Sequence, residues 1–357
     1  MTDYPFLRRE WLLALAESGA VAAPGSNDDR TGWHDISCRA GEGVLPLYRK
    51  AHSWGEYVFD HGWADAYARH GLHYYPKLVT AIPYTPVTGP RWRLPQGVSD
   101  AAGWLWPRIQ EALAAHQASG WHLLFPDQAA AEALAELPLI TRQACHFRWF
   151  NRDYQTFDDF LAALVSRKRK SLRRERQRVL EQGLTIQRAA GAAIPAHWWD
   201  VFYACYADTY LRRGQSPYLA PAFFRAIREQ MGEQLMLTAA FADNPEQPVA
   251  MAIYLFDGQG LYGRYWGALQ DYDALHFELC YYQGIEFAIE QQLALFDPGV
   301  QGEHKLLRGF EPVITRSLHH LVEPAFHQAV ADFCEREAHA VLAYRDEART
   351  LLPYRAG

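Results

Sequence analysis

The chain has 357 residues, 49% of them hydrophobic and 21% charged, with a formal net charge of −6. That length fits two domains, and that apolar share excludes a disordered chain. The negative balance excludes nucleic-acid binding driven by overall charge, and five dispersed cysteines without a C-x-x-C pair point to reduced thiols of a cytoplasmic protein.

In chain order, Arg8-Arg9, Leu12 to Leu15 and Val21-Ala22-Ala23 imitate a signal peptide, but Glu10 and Glu17 interrupt its apolar part. The stretch reads as an amphipathic helix from about Phe6 to Ser18, ended by Gly19. Residues 33–39 and 44–49 flank a hairpin turn. An aromatic and acidic segment, Lys50 to Asp60, leads to a helix from about Ala64 to His70 and then to Tyr74-Tyr75-Pro76-Lys77. Four prolines and Gly89 make 82–95 irregular. Ser99 is expected to cap a helix reaching about Gln117, before a buried strand at 121–125 and a helix at 128–137. No run approaches 18 apolar residues, so no membrane span is predicted.

A domain boundary is expected near Asn151. Thr156 and Asp159 form a capping-box pattern for one long helix to Gln182, stopped by Gly183. A strand (184–188) and helices at 196–213 and 221–231 follow. Strands at 234–242, 248–256 and 261–266, joined by Asp/Asn/Pro/Gly turns, predict an antiparallel meander. Asp273 is expected to cap a helix from 275 to 292. Leu293 to Phe296 and the turn Asp297-Pro298-Gly299 then lead into Gly302-Glu303-His304-Lys305, and a helix from 324 to 351 closes the chain. Strands alternating with helices predict an α/β fold. The halves share an element order, and Leu124-Phe125-Pro126-Asp127 corresponds to Leu295-Phe296-Asp297-Pro298, which suggests a duplicated unit.

Chemistry concentrates in the second half. Arg167 to Arg178 holds eight Lys or Arg in twelve residues, while Leu161, Val165, Leu172 and Val179 share one helical face. The helix is either a solvated face or an electrostatic seat, through Arg169, Lys170, Arg173 and Arg174, for a polyanion such as tRNA, a nucleotide diphosphate or a phospholipid headgroup. Lys305 and Arg308 lie three residues apart and suit phosphate or carboxylate, with Lys305 as an exposed point charge. Glu303 or His304 would then deprotonate an amine; the alternative is a surface salt-bridge cluster. Glu278, Tyr282, Glu286 and Glu290 form a polar stripe, with His276 and Glu278 at the helix turn nearest the sheet. Arg264, beside Tyr265 in an aromatic strand, requires an acid or an anionic ligand. The histidines lack metal-ligand spacing, so no metal is predicted, and neither a P-loop, a dinucleotide fingerprint nor G-x-S-x-G occurs.

Several longer motifs resemble the FemAB-like predicted N-acyltransferases: Tyr-Leu-Arg-Arg-Gly (210–214), Leu-Tyr-Gly-Arg-Tyr-Trp-Gly-Ala (261–268), His-Phe-Glu-Leu-Cys-Tyr-Tyr-Gln (276–283) and Gly-Glu-His-Lys-x-x-Arg-Gly-Phe-x-Pro (302–312). Gly-Glu-Tyr-Val-Phe-Asp (55–60), Tyr-Tyr-Pro-Lys (74–77) and Pro-Val-Thr-Gly-Pro-Arg (86–91) extend the resemblance over nearly the whole chain. It implies two GNAT-like domains in tandem, at 1–150 and 151–357, with a working cleft between them. It also implies transfer of an acyl or aminoacyl group to an amine, as the better-known Fem proteins use aminoacyl-tRNA to build peptidoglycan cross-bridges. His276, Glu278, Glu303 and His304 would be the catalytic candidates. Lys305, Arg308, Arg264, Tyr265, Tyr282, Glu56 and Lys77 would bind substrate, with Arg264 and Tyr265 on the cleft floor. The donor stays open between acyl-CoA and aminoacyl-tRNA. No [RQ]-x-x-G-x-[GA] loop lies at 268–275, and no long helical-hairpin insertion is present. Two rivals remain: a non-catalytic module recognising peptidoglycan or another anionic glycan, and an RNA-associated protein using the basic helix.

Overall fold

A computed structural model describes residues 4–23, 25–26, 30–300 and 302–355. The chain forms two compact units. One comprises Phe6–Cys145 with Ile314–Arg345; the other comprises His146–Val313 with the described residues of 1–5 and 346–357.

In the first unit, helix α1 (Arg9–Glu17) buries Trp11, Ala14 and Leu15. Short strands β1 (Trp33–Asp35), β2 (Cys38–Ala40), β3 (Gly43–Leu45) and β4 (Tyr48–Lys50) follow; β2 pairs antiparallel with β3, and β1 with β4. After helix α2 (His61–Arg69), strand β5 (Lys77–Thr80) pairs antiparallel with β4. Helix α3 (Ala101–His116) is capped by Asp100, not Ser99: the Asp100 carboxylate accepts from Gly103 N at 2.9 Å. Strand β6 (Gly120–Leu124) runs parallel to β5, helix α4 (Gln128–Glu132) is capped by Asp127, and strand β7 (Ile140–Phe150) carries the chain into the second unit.

There, helix α5 (Phe157–Ala163) opens on the expected Thr156–Asp159 capping box. The helix expected to continue to Gln182 breaks at Leu164. Val165 N donates to Pro353 O at 2.8 Å and Arg355 N to Ala163 O at 3.0 Å, so the C-terminal tail takes the backbone groups a continuous helix needs. Helix α6 (Ser166–Glu181) then buries Leu172 and Val179, while Val165 stays 38% exposed. Strand β8 (Thr185–Ala190) and helices α7 (Trp198–Leu211) and α8 (Pro221–Met231) precede the meander of β9 (Leu235–Phe241), β10 (Pro248–Phe256) and β11 (Gly260–Ala268). Helices α9 (Leu275–Phe277) and α10 (Gln283–Glu290) flank a π-helical turn, Glu278–Tyr282. Strand β12 (Leu295–Asp297) lies parallel to β11. Strand β13 (Glu311–Leu321) returns to the first unit, where it pairs antiparallel with β6, and helix α11 (Pro324–Thr350) follows.

A single cut near Asn151 would separate Ile314–Arg345 from the residues they pack with. Leu318 sits in one core with Trp104 and Trp121, and Leu321, Val330 and Cys334 in another with Trp63 and Tyr74. In each unit a central parallel pair ends on one of the two Leu-Phe turns.

Candidate active site

In the second unit, β11 and β12 stay paired for only three positions, Gly260–Tyr262 against Leu295–Asp297. Just beyond, Tyr254 of β10 faces Gly263 and Ile253 faces Tyr265, so Arg264 is the extra residue of a β-bulge. The helix after β11 starts from Ala274 at φ 62°; Asp273 does not cap it and instead accepts from Arg178 at 2.6 Å. Its π-helical turn swings Tyr281 and Tyr282 out of α-helical register, a distortion that recurs at functional sites. After β12, a 3₁₀ helix, Glu303–Arg308, is bracketed by Gly302 (φ 106°) and Gly309 (φ 86°), conformations that glycine adopts without strain.

These elements bring His304, Tyr281 and His276 together. His304 Nε2 lies 2.7 Å from the Tyr281 hydroxyl. The His276 ring is 6.1 Å from that of His304, 5.3 Å from Tyr281 and 5.1 Å from Trp266. Phe277 stacks with Tyr281, and the Arg308 guanidinium lies 3.4 Å over the Phe277 ring. Burial, then the Arg308 and Lys305 charges, lower the His304 pKa; burial, then His304, Lys305 and Arg308, lower that of His276 to about 4. Both rings are therefore neutral imidazoles at pH 7, half-buried beside fixed cations.

The other expected residues are placed differently. Lys305 is not an exposed cation: it is 1% exposed, and its Nζ donates to Gly299 O at 2.6 Å. Burial pulls its pKa down to about 8 against the attraction of Asp297. Asp297 is itself held by Arg148 at 3.0 Å. Glu278 is a buried, bidentate partner of Arg176 (3.0 and 2.9 Å) and also accepts from Gln283. Tyr282 donates to Glu175, which also receives Arg308 at 3.1 and 2.9 Å. Glu278, Tyr282 and Arg308 thus clamp the inner side of α6 to the π-turn rather than pointing at an open substrate position. Glu303 is exposed at the head of the 3₁₀ helix. Tyr265 packs on Tyr206 and Phe224 of α7 and α8, with Arg264 5.1 Å over its ring, whereas Trp266 meets His276.

Along α6, Arg173 pairs with exposed Asp158, while Arg169, Lys170 and Arg174 form no ion pair among the described residues. Glu56 and Lys77 lie in the first unit, joined at 2.8 Å in a solvent-excluded network. Tyr281, Glu175, Arg176, Arg148 and Asp297 were not singled out by sequence. Only Tyr281, four residues after Phe277 on the same helix, had a readable signal. Among the described residues no cluster of His, Cys, Asp and Glu is arranged to hold a metal ion, and no helix is long and apolar enough to cross a membrane.

The three-stranded meander, the short parallel pair beside it and the helix between them give this unit a GNAT-like fold. The chain belongs to the FemAB-like family, described as peptidoglycan biosynthesis/recognition, whose model matches residues 1–356. Its fold is similar to L-PGS from Bacillus licheniformis, at 10% identity over 93% of this chain and 97% of that one, TM-score 0.53. It is also similar to the C-terminal DUF2156 domain of a putative lysylphosphatidylglycerol synthetase from Agrobacterium fabrum, at 10% identity over 87% and 89%, TM-score 0.51. FemX matches at 13% identity over 84% of this chain and 91% of its own, TM-score 0.49. No curated protein matches the chain.

Proposed function

We propose that the protein transfers an acyl or aminoacyl group to an amine of a cell-wall precursor, with His304 as general base. The observation that carries this reading is the 2.7 Å hydrogen bond between His304 Nε2 and the Tyr281 hydroxyl, at an imidazole whose pKa burial and nearby cations lower. The amine nitrogen attacks the acyl carbonyl and forms the C–N bond, and its proton passes to His304. The tetrahedral intermediate then expels the donor's thiolate or ribose oxygen, which takes a proton from the His304–Tyr281 pair. Burial, aided by the neighbouring Arg308 and Lys305 charges, keeps the imidazole unprotonated before the amine arrives.

The donor is an acyl-CoA or an aminoacyl-tRNA, and both place the reaction in the cytoplasm. The outer cations of α6 that form no ion pair among the described residues, Arg169, Lys170 and Arg174, support a polyanionic donor. The test incubates the protein with a soluble stem pentapeptide, and with acetyl-CoA and a charged tRNA pool in parallel, and reads the product by mass. One donor should yield a peptide heavier by its acyl group, amide-linked. No adduct from either donor, with both recovered intact, would overturn the reading.

A further inference from the structure

The segment after β4, Ala51 to Asp60, has no regular structure, yet it is fastened from beneath. Lys77 Nζ, fully buried, donates to Ser53 Oγ (2.8 Å), Glu56 Oε2 (2.8 Å) and Asp60 Oδ2. Asp60 also accepts from Ser53 (2.6 Å) and Tyr74 (2.6 Å). Burial alone would lower the Lys77 pKa, but Asp60 and Glu56 raise it above the ordinary lysine value, so the ammonium stays charged. Lys50 donates to Trp54 O at 3.1 Å while its Nζ lies 3.8 Å over the Trp33 ring. Tyr57 is held at φ 59°, uncommon for a non-glycine residue and frequent where structure serves a site.

The outer side of this anchored segment is aromatic. Trp54 is 59% exposed and Phe59 68%, and exposed His61 lies between them, its ring 6.4 Å from Trp54 and 6.5 Å from Phe59. Arg142 fixes the far end: it donates to Phe59 O at 2.7 Å, is held by Glu337 at 2.7 and 2.8 Å, and lies over Trp63 and Phe333. Each ring left in water forgoes roughly 1.5–3 kcal/mol of burial. A buried ion network that holds two such rings outward presents a rigid ligand surface rather than a loop tip.

We propose that Trp54, His61 and Phe59 form a carbohydrate-stacking face for the sugar rings of a peptidoglycan precursor; the inference rests on the cell-wall reading of the substrate. Aromatic faces carry the negative end of a quadrupole and attract the C–H face of a pyranose ring. Residues 51–61 contain no Lys or Arg, and the neighbouring Arg142 is neutralised by Glu337, so the face does not present the cation cluster that an anionic bilayer or a nucleic acid requires.

The test titrates the full chain with a soluble disaccharide-pentapeptide of peptidoglycan and with the pentapeptide alone, using wild type and the double variant Trp54→Ala/Phe59→Ala. These substitutions leave Ser53, Glu56, Asp60 and Lys77 in place, so the thermal midpoint should hold. Wild type should bind the disaccharide form at least about tenfold tighter, as stacked aromatic contacts predict, and the double variant should lose that preference. Equal affinities in wild type, or a preference that survives the substitutions, would overturn the stacking face while leaving the substrate reading intact. Binding of neither ligand would overturn both. Loss of binding to phosphatidylglycerol vesicles, with disaccharide binding unchanged, would reassign the face to membranes.

Discussion

At the scale of single residues, the site turns on imidazoles that burial and nearby cations hold neutral. His304 and His276 are kept unprotonated by burial and by Arg308 and Lys305, so their proton-accepting form is the one present at neutral pH. His304→Ala should lower transfer by about 10²- to 10⁴-fold, the usual reach of general-base catalysis, with little effect on the unfolding midpoint. Lys305→Met keeps volume and removes a buried charge that has one carbonyl partner. Stability should be unchanged or higher, while His276 and His304 lose a repelling neighbour and their pKa values rise. The acid limb of the pH–rate profile should therefore move to higher pH; an unmoved limb would show that Lys305 does not set the imidazole charge. The triplet Glu303-His304-Lys305 stood out in the sequence, but its burial did not. Three adjacent polar side chains read as surface, and only the turn between Gly302 and Gly309 shows that Lys305 points inward while Glu303 points out.

At the scale of elements, α6 has two working sides. Its inner acid and cation, Glu175 and Arg176, meet Arg308, Tyr282, Glu278 and Glu286; on its outer side Arg173 pairs with Asp158, while Arg169, Lys170 and Arg174 form no ion pair among the described residues. Arg176→Ala strands the buried Glu278 carboxylate and should cost on the order of 3 kcal/mol, read as a lower urea midpoint. Reversing Arg169, Lys170, Arg173 and Arg174 to Glu should spare stability but weaken retention of charged tRNA and flatten its salt dependence. Unchanged retention would leave those residues as a solvated face. The bounds of α8 and β10 are those read from the sequence, because Pro221 starts the helix and clear turns flank the strand. Strands β5, β7 and β13 were not legible: Lys77, His146, Arg148, Thr315, Ser317 and His319 interrupt their apolar pattern, and each is a polar group buried or half-buried by a specific partner or neighbour. The break between α5 and α6 was equally hidden, since the tail residues that cause it lie nearly two hundred positions away.

At the scale of the whole chain, buried neutral histidines make stability depend on pH. His146 and His276 have pKa values lowered to about 4 and His319 to about 3, in each case with burial as the main cause, against a free value of 6.5. The unfolded chain therefore binds these protons first. Their contribution is intact above about pH 6.5 and is lost as pH falls toward 4 and 3, so the urea midpoint should drop across that window. A flat midpoint would mean the rings titrate in the fold as they do in the unfolded chain. Fold class and family were legible because motifs run through both halves; the regrouping of residues 314–345 with the first half was not, since it depends on packing of Leu318 and Leu321. The central claim, general-base transfer at His304, is tested most directly by the rate of amide formation on the stem pentapeptide from pH 5 to 8, for wild type and His304→Ala. Wild type should lose activity as pH falls below the free histidine value, toward the lowered His304 pKa, and the variant should be slower by at least about 10²-fold with that limb gone; a variant that matches wild type in rate and pH profile would contradict it.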